Sequence, residues 1–222
     1  TLEVTKEQVA ENMLCSNAAV DVHRLLRGQL DNEEYARVPV AAGKLSKAPL
    51  FIDDTPAISL TRLRSLARRM ASNLEARGQE LGLIVVDYLQ LMTLGAKAES
   101  RQIEISRLSG GLQQLARELK VPVIALSQLN RGVEARQDKR PLMGDLRESG
   151  SIEQDADAIL LVFRKEYYFP DDVAAKGKAE IIVAKNRNGP TGVAELNFHA
   201  SWMRFENAHH FPETAAPSVP SF

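Results

Sequence analysis

Four groups of polar residues stand at or near the ends of apolar runs, and each has a type and spacing suited to phosphate chemistry. Asp87 closes the run Leu83-Ile84-Val85-Val86. An unbroken apolar run reads as a parallel strand buried on both faces, and open α/β sheets bind ligands at the carboxyl ends of their strands. A carboxylate there can hold Mg²⁺ on nucleotide phosphates, or it can simply cap a strand end. Gln128 closes the next such run, Val121 to Ser127. At that place a glutamine can sense a γ-phosphate and relay its presence to the following loop, or be an ordinary surface side chain. The third group is Asp145-Leu146-Arg147-Glu148-Ser149-Gly150-Ser151-Ile152-Glu153-Gln154-Asp155-Ala156-Asp157. Arg147 can bond a phosphate bidentately, exposed N–H groups around Ser149-Gly150 add donors, and Gly150 permits close approach or a positive φ. Ser151 and Gln154 also match a capping box, and a capped helix start is itself an anion site. The fourth group is Lys185-Asn186-Arg187-Asn188-Gly189-Pro190. Two cations two apart on an extended segment project the same way. At a subunit edge they would reach a neighbour's nucleotide, where an arginine finger contributes about 10³–10⁵ in rate. The plainer reading is a basic flank before an Asn-Gly-Pro turn.

The elements that must position these groups alternate helix and strand. Thr1 to Val4 reads as the tail of a strand, and Thr5 with Gln8 as the capping box of a helix to about Leu14. A second helix covers Ala19 to Arg27 and stops at Gly28; a third begins near Asp31, with Pro39 either interrupting it or starting a new one at Val40. Pro49 to Asp54 reads as a short strand ending in a carboxylate pair. Ser59 caps a helix with Leu63, Leu66, Met70 and Leu74 at helical spacing, its Arg62, Arg64, Arg68 and Arg69 forming a solvated face. After the Asp87 strand and a polar loop, Thr93 to Ser100, a helix runs from Arg101 to Lys120, weakened in its middle by Gly110-Gly111. The long polar loop Leu129 to Asp145 precedes a third buried strand, Ala158 to Phe163. Ala179 to Ala184, Gly192 to Phe198 and Ser201 to Phe205 then form a meander. The alternation implies a parallel sheet that ends in antiparallel strands.

The bulk composition fits one large α/β domain. The chain has 222 residues, 44% hydrophobic and 26% charged. A net charge of −1 gives no global field for nucleic acid, so any such site must be local. One cysteine, Cys15, allows no internal disulfide, reads as a small apolar helix residue and fits a cytoplasmic protein. No signal peptide or 18-residue apolar run stands in the sequence, so no membrane association is expected. The four histidines are scattered or tail-like and carry no claim.

Taken together, Val85 to Met92, Ala125 to Arg131, Asp138-Lys139-Arg140-Pro141, Asp145 to Asp157 and Lys185 to Pro190 resemble the C-terminal, RecA-like motor domain of the DnaB family of bacterial replicative DNA helicases. The resemblance runs from Thr1 to about Glu206, and the string Leu146 to Asp157 is its most specific part. It implies an α/β fold with a RecA-like P-loop ATPase core: a mostly parallel sheet flanked by helices, with antiparallel strands at the C-terminal end. Residues 1–206 would be the motor domain and 207–222 a disordered tail.

The resemblance also implies roles. Thr1-Leu2-Glu3 is similar to the family's Ser-Leu-Glu, so Glu3 would be the base that polarises the attacking water. Asp87 would hold Mg²⁺ through water, and Gln128 would sense the γ-phosphate of ATP. Arg147, Glu148 and Gly150 would touch the backbone of single-stranded DNA in a central channel. Lys185 and Arg187 would act in trans on the adjacent subunit's ATP. The family implies a homo-hexameric ring moving 5′→3′, with a helicase loader, primase and other replisome (primosome) proteins as partners.

One departure is large. No Gly-x-x-x-x-Gly-Lys followed by Ser or Thr occurs: Leu45 follows Gly43-Lys44 and Ala179 follows Gly177-Lys178. In the family that P-loop lies just upstream of the segment matching Thr1. The chain is therefore expected to be a fragment of a helicase, without turnover by itself. The alternative is a P-loop-less paralogue that binds single strands or caps a ring without hydrolysing ATP. A third reading, another RecA-like ATPase such as a recombinase, is disfavoured by the Arg147 to Asp157 string.

Overall fold

A computed structural model describes residues 1–95 and 98–208, leaving out the side chains of residues 147–149. The tail expected from residue 209 on, with His209 and His210, lies outside the described residues, as does part of the Thr93 to Ser100 loop.

Three helices open the chain: α1 (Lys6–Ala18), α2 (Val22–Leu26) and α3 (Asn32–Leu45). Thr5 caps α1 by accepting from the Gln8 N–H (3.3 Å), and the helix runs past Leu14 to a left-handed Ala19. Pro39 neither ends nor starts a helix, since α3 continues through it. The missing N–H costs one backbone bond. A capping box between Asp31 and Glu34 fixes the start of α3, while Ala41 and Val38 pack on Cys15, Ala18 and Val20. Cys15 is fully buried there, and burial followed by the carboxylates of Glu11 and Asp21 pushes its thiol pKa up.

The segment Pro49 to Asp54 forms no strand. It finds no ladder to join: the Asp53 carbonyl accepts from the Thr1 ammonium (2.9 Å) and its carboxylate from the Thr55 N–H (2.9 Å), while Leu50 and Phe51 stay exposed. Asp54, the other half of the expected carboxylate pair, accepts from the Lys6 N–H at the start of α1 (3.1 Å).

The central layer is built from α4 (Leu60–Glu75), β1 (Ile84–Val86), α5 (Arg101–Leu119) and β2 (Val123–Ala125). β1 and β2 pair in parallel, Val86 opposite Ala125. Leu60, Leu63 and Leu66 of α4 meet Ile105, Leu108 and Leu112 of α5 over Ile84, Val86 and Val123. Only one face of the pair is covered this way. Val85 and Ile124 point outward at 53% and 52% exposure, against the expectation of strands buried on both faces. Gly111 serves close packing rather than weakness, because a Cβ there would stand 2.2 Å from Leu60 Cδ2. The arginine face of α4 is divided. Arg64 and Arg68 both bond Glu118 of α5, while the guanidiniums of Arg62 and Arg69 are exposed and make no hydrogen bond or ion pair among the described residues.

A four-stranded antiparallel sheet completes the fold: β3 (Ala158–Phe163), β4 (Lys178–Asn186), β5 (Gly192–His199) and β6 (Arg204–Asn207), in that order. β3 alternates rather than being buried throughout, with Ile159, Leu161 and Phe163 inward and Leu160 and Val162 outward. The period-2 pleat presents alternate side chains to opposite faces, and the outer face is open. A short helix, α7 (Lys165–Tyr168), lies in the β3–β4 connection. The last strand starts at Arg204, later than expected, because Ala200–Trp202 form a 3-10 turn.

Candidate functional site

The C-terminal edge of β1 and β2 gathers three of the expected residues. Asp87 follows β1 directly and is half-buried. The Leu2 N–H donates to the Asp87 carbonyl (2.7 Å). That bond lays the start of the chain against the end of β1 as an irregular, bent segment, not a strand, with exposed Glu3 next in line. Gln128, also exposed, lies three residues past β2. The ladder continues beyond both strands, since the Leu126 N–H donates to Val86 (2.9 Å) and the Leu89 N–H to Leu126 (2.9 Å).

Gln90 then takes over the pairing. Its carboxamide NH₂ donates to Ser127 Oγ (2.8 Å) and the Gln128 carbonyl (3.3 Å), and its Oε1 accepts from the Gln128 N–H (3.2 Å). The sequence reading assigned Gln90 no role. The signal was there: a carboxamide three residues past Asp87, in the turn Leu89–Leu91 that follows β1.

Loop Leu129 to Asp145 is folded rather than open. Arg131–Ala135 forms a 3-10 turn. Asp145 accepts from the Leu142 N–H (2.7 Å) and pairs with Arg136, and its carbonyl accepts from the Asn130 N–H (3.0 Å). Arg140 is held by Glu180 of β4.

The Asp145 to Asp157 stretch becomes a 3-10 segment, Met143–Ser149, running into α6 (Gly150–Asp155). Ser151 therefore lies inside helical backbone and is not an N-cap, because the chain is already helical before it reaches Ser151. Gly150 is right-handed (φ −51°), so positive φ is not why a glycine stands there. It is exposed, and a Cβ would meet nothing within 4 Å, which leaves its backbone open to close approach. The side chains of Arg147 and Glu148 lie outside the described residues.

Lys185 and Arg187 do reach the same way, to the C-terminal end of α6. Lys185 Nζ donates to the Glu153 carbonyl. Arg187 bonds the Gln154 carbonyl (2.6 Å) and the Asp157 carboxylate (2.7 Å). Unpaired carbonyls at a helix C-terminus attract cations, so both side chains are engaged within their own chain. α6 thus has the candidate DNA residues at one end and the two cations at the other. It packs along α5, with Gln113 Nε2 bonding the Asp155 carbonyl (2.7 Å).

The residues present fit the metal side of a nucleotide site. Mg²⁺ retains several waters and takes one or two carboxylates, as a lone half-buried Asp87 could provide. No cluster of three metal-ligating side chains occurs among the described residues. They do not fit the phosphate side, because the sequence has no P-loop to supply a backbone nest and its lysine.

The family model for the DnaB-like helicase C-terminal domain matches residues 1–207. The chain belongs to this family. It is 45% identical over 219 residues to the replicative DNA helicase DnaB of Geobacillus stearothermophilus, covering 98% of this chain and 47% of that protein. It is 43% identical over 219 residues to the replicative DNA helicase DnaC of Bacillus subtilis, with the same coverages. The chain thus spans about half the length of these relatives. Among solved structures, an ATPase domain superposes with a TM-score of 0.86 at 34% identity, covering 94% of this chain and 73% of that one. A DnaB-like replicative helicase studied with primase superposes at 0.84 and 36% identity, covering 93% of this chain and 49% of that one. The α/β class, with a parallel pair and an antiparallel C-terminal sheet, agrees with these neighbours.

Proposed function

We propose that this chain is the motor part of an ATP-dependent, 5′→3′ replicative DNA helicase working as a hexameric ring on single-stranded DNA. The observation that carries the reading is the juxtaposition of Glu3, Asp87 and Gln128 at one sheet edge, fixed by the Leu2–Asp87 and Gln90–Gln128 bonds. ATP supplies the phosphoanhydride whose hydrolysis drives movement. In this reading Glu3 accepts a proton from the attacking water. Asp87 holds the Mg²⁺ waters, and Gln128 bonds the γ-phosphate end. Lys185 and Arg187 leave the end of α6 to serve the neighbouring subunit's site. Arg147, Glu148 and Gly150 contact the DNA backbone, which positions the strand without reading sequence.

Phosphate binding needs a cradle that these residues lack, so the proposal concerns the full-length protein. The relative studied with primase supports primase as a partner; a loader and a cytoplasmic setting accompany the same reading. No helix among the described residues is long and apolar enough to cross a membrane. A ring-capping paralogue without ATPase activity is disfavoured, because the relatives matched across 98% of the chain are named replicative helicases. In the full-length protein, Asp87→Ala is expected to lower ATP turnover by roughly 10²-fold or more, the scale of lost electrostatic stabilisation. Turnover equal to the wild type would remove the Asp87 assignment.

A further inference from the structure

We infer that Gln90 is a positioning residue: its carboxamide holds the main chain of Gln128 and ties it, through Arg101 and Glu104, to the root of the loop before α5. The inference rests on the proposed nucleotide-sensing role of Gln128.

The geometry is that of a side chain imitating a strand. Beyond Leu126 the backbone of β1 turns away into Leu89–Leu91, and Gln128 has no main-chain partner among the described residues. The Gln90 carboxamide supplies both a donor and an acceptor in one plane and satisfies the carbonyl (3.3 Å) and the N–H (3.2 Å) of Gln128. The second hydrogen on the same nitrogen goes to Ser127 Oγ (2.8 Å). Two of the three bonds hold the N–H and the C=O of Gln128, one on each side of its Cα, and so set the direction in which its Cα–Cβ bond leaves the main chain. A sensor side chain leaving from a fixed main chain reaches its target at a smaller cost in orientation.

The main-chain carbonyl of Gln90 is held too. It accepts from the Arg101 guanidinium at the first position of α5. The same guanidinium pairs with Glu104, whose carboxylate accepts from the Leu94 N–H (3.4 Å). Leu94 opens the connection to α5, and Ser100 closes it by capping that helix (3.3 Å). A continuous run of hydrogen bonds therefore leads from Gln128 to both roots of this loop. A displacement of Gln128 on nucleotide binding moves Gln90, and the Arg101–Glu104 pair carries that to Leu94 and Ser100. Reciprocally, anything that binds the loop alters how Gln128 is presented.

The test uses the full-length protein with ATP and a single-stranded oligonucleotide. Gln90→Met keeps the length and removes every bond. It is expected to lower kcat about tenfold, the equivalent of one hydrogen bond, and to leave KM for ATP within about twofold. Ser127→Ala should give a smaller loss and add nothing in the double variant, since both act through one contact. Arg101→Gln should reduce the factor by which DNA stimulates turnover. Wild-type kcat in Gln90→Met, with turnover lost in Gln128→Ala, overturns the clamp alone. Wild-type turnover in both overturns the sensor role and the clamp with it. Undiminished stimulation in Arg101→Gln overturns the link to the loop.

Discussion

Gly110 and Gly111 are neighbours in α5, and replacing either with alanine should act with opposite sign. In a helix interior alanine is favoured over glycine by about 0.5–1 kcal/mol, because glycine loses more backbone entropy. At Gly110 nothing opposes that gain: a Cβ would meet only Asp155 Oδ2, at an ordinary 3.8 Å. At Gly111 it would stand 2.2 Å from Leu60 Cδ2, 3.1 Å from Cδ1 and 3.2 Å from Cγ. Three atoms of one side chain are involved, so turning a single methyl does not clear the contact. To make room the Leu60 side chain must turn away and give up its packing on the central cluster. Overpacking of this kind costs about 1–3 kcal/mol. The propensity gain is common to both variants, so that strain is the expected difference between them. In a domain of this size it corresponds to a gap of about 2–12 °C in Tm. Thermal unfolding of the two variants beside the wild type measures it. Gly111→Ala melting as high as Gly110→Ala would refute the close approach of α4 to α5.

Two further outcomes concern charged residues. The Arg68 and Arg64 guanidiniums hold the Glu118 carboxyl down from 4.5 to about 2. A lowered carboxylate pKa stabilises the fold above 4.5, and that contribution is lost as pH falls toward 2. Glu118→Gln should therefore flatten the fall in stability across this window in acid-unfolding curves; an unchanged curve would remove the pair from the account. Arg147→Ala in the full-length protein should weaken single-stranded DNA binding equally for all sequences and reduce the salt slope by about 0.7. A loss confined to some sequences would count against a backbone contact.

Much of the fold was legible because long helices and apolar strands announce themselves by period. The run from Arg101 and the strand at Ala158 appear where the spacing put them. Elements that depend on neighbours were not legible. Pro49 to Asp54 has strand composition but no ladder partner, and Pro39 sits in a helix held by its cap and by packing. Burial on two faces was inferred from unbroken apolarity, yet Val85, Ile124, Leu160 and Val162 face outward. Asp87 and Gln128 were candidates because of their place at strand ends, where the structure also puts them. Glu3 came only from the family resemblance, since a glutamate in an irregular segment carries no local signal. Gln90 escaped because its role lies in bonds to residues 37 and 38 positions away.

The central claim is that this chain drives directional unwinding. The most direct measurement is strand displacement by the full-length protein, with ATP and Mg²⁺, on two duplexes that differ only in whether the single-stranded tail is 5′ or 3′. Displacement from the 5′ tail, lost in Asp87→Ala, is the predicted result. Equal or preferred displacement from the 3′ tail, or unwinding that persists without ATP, would contradict the account.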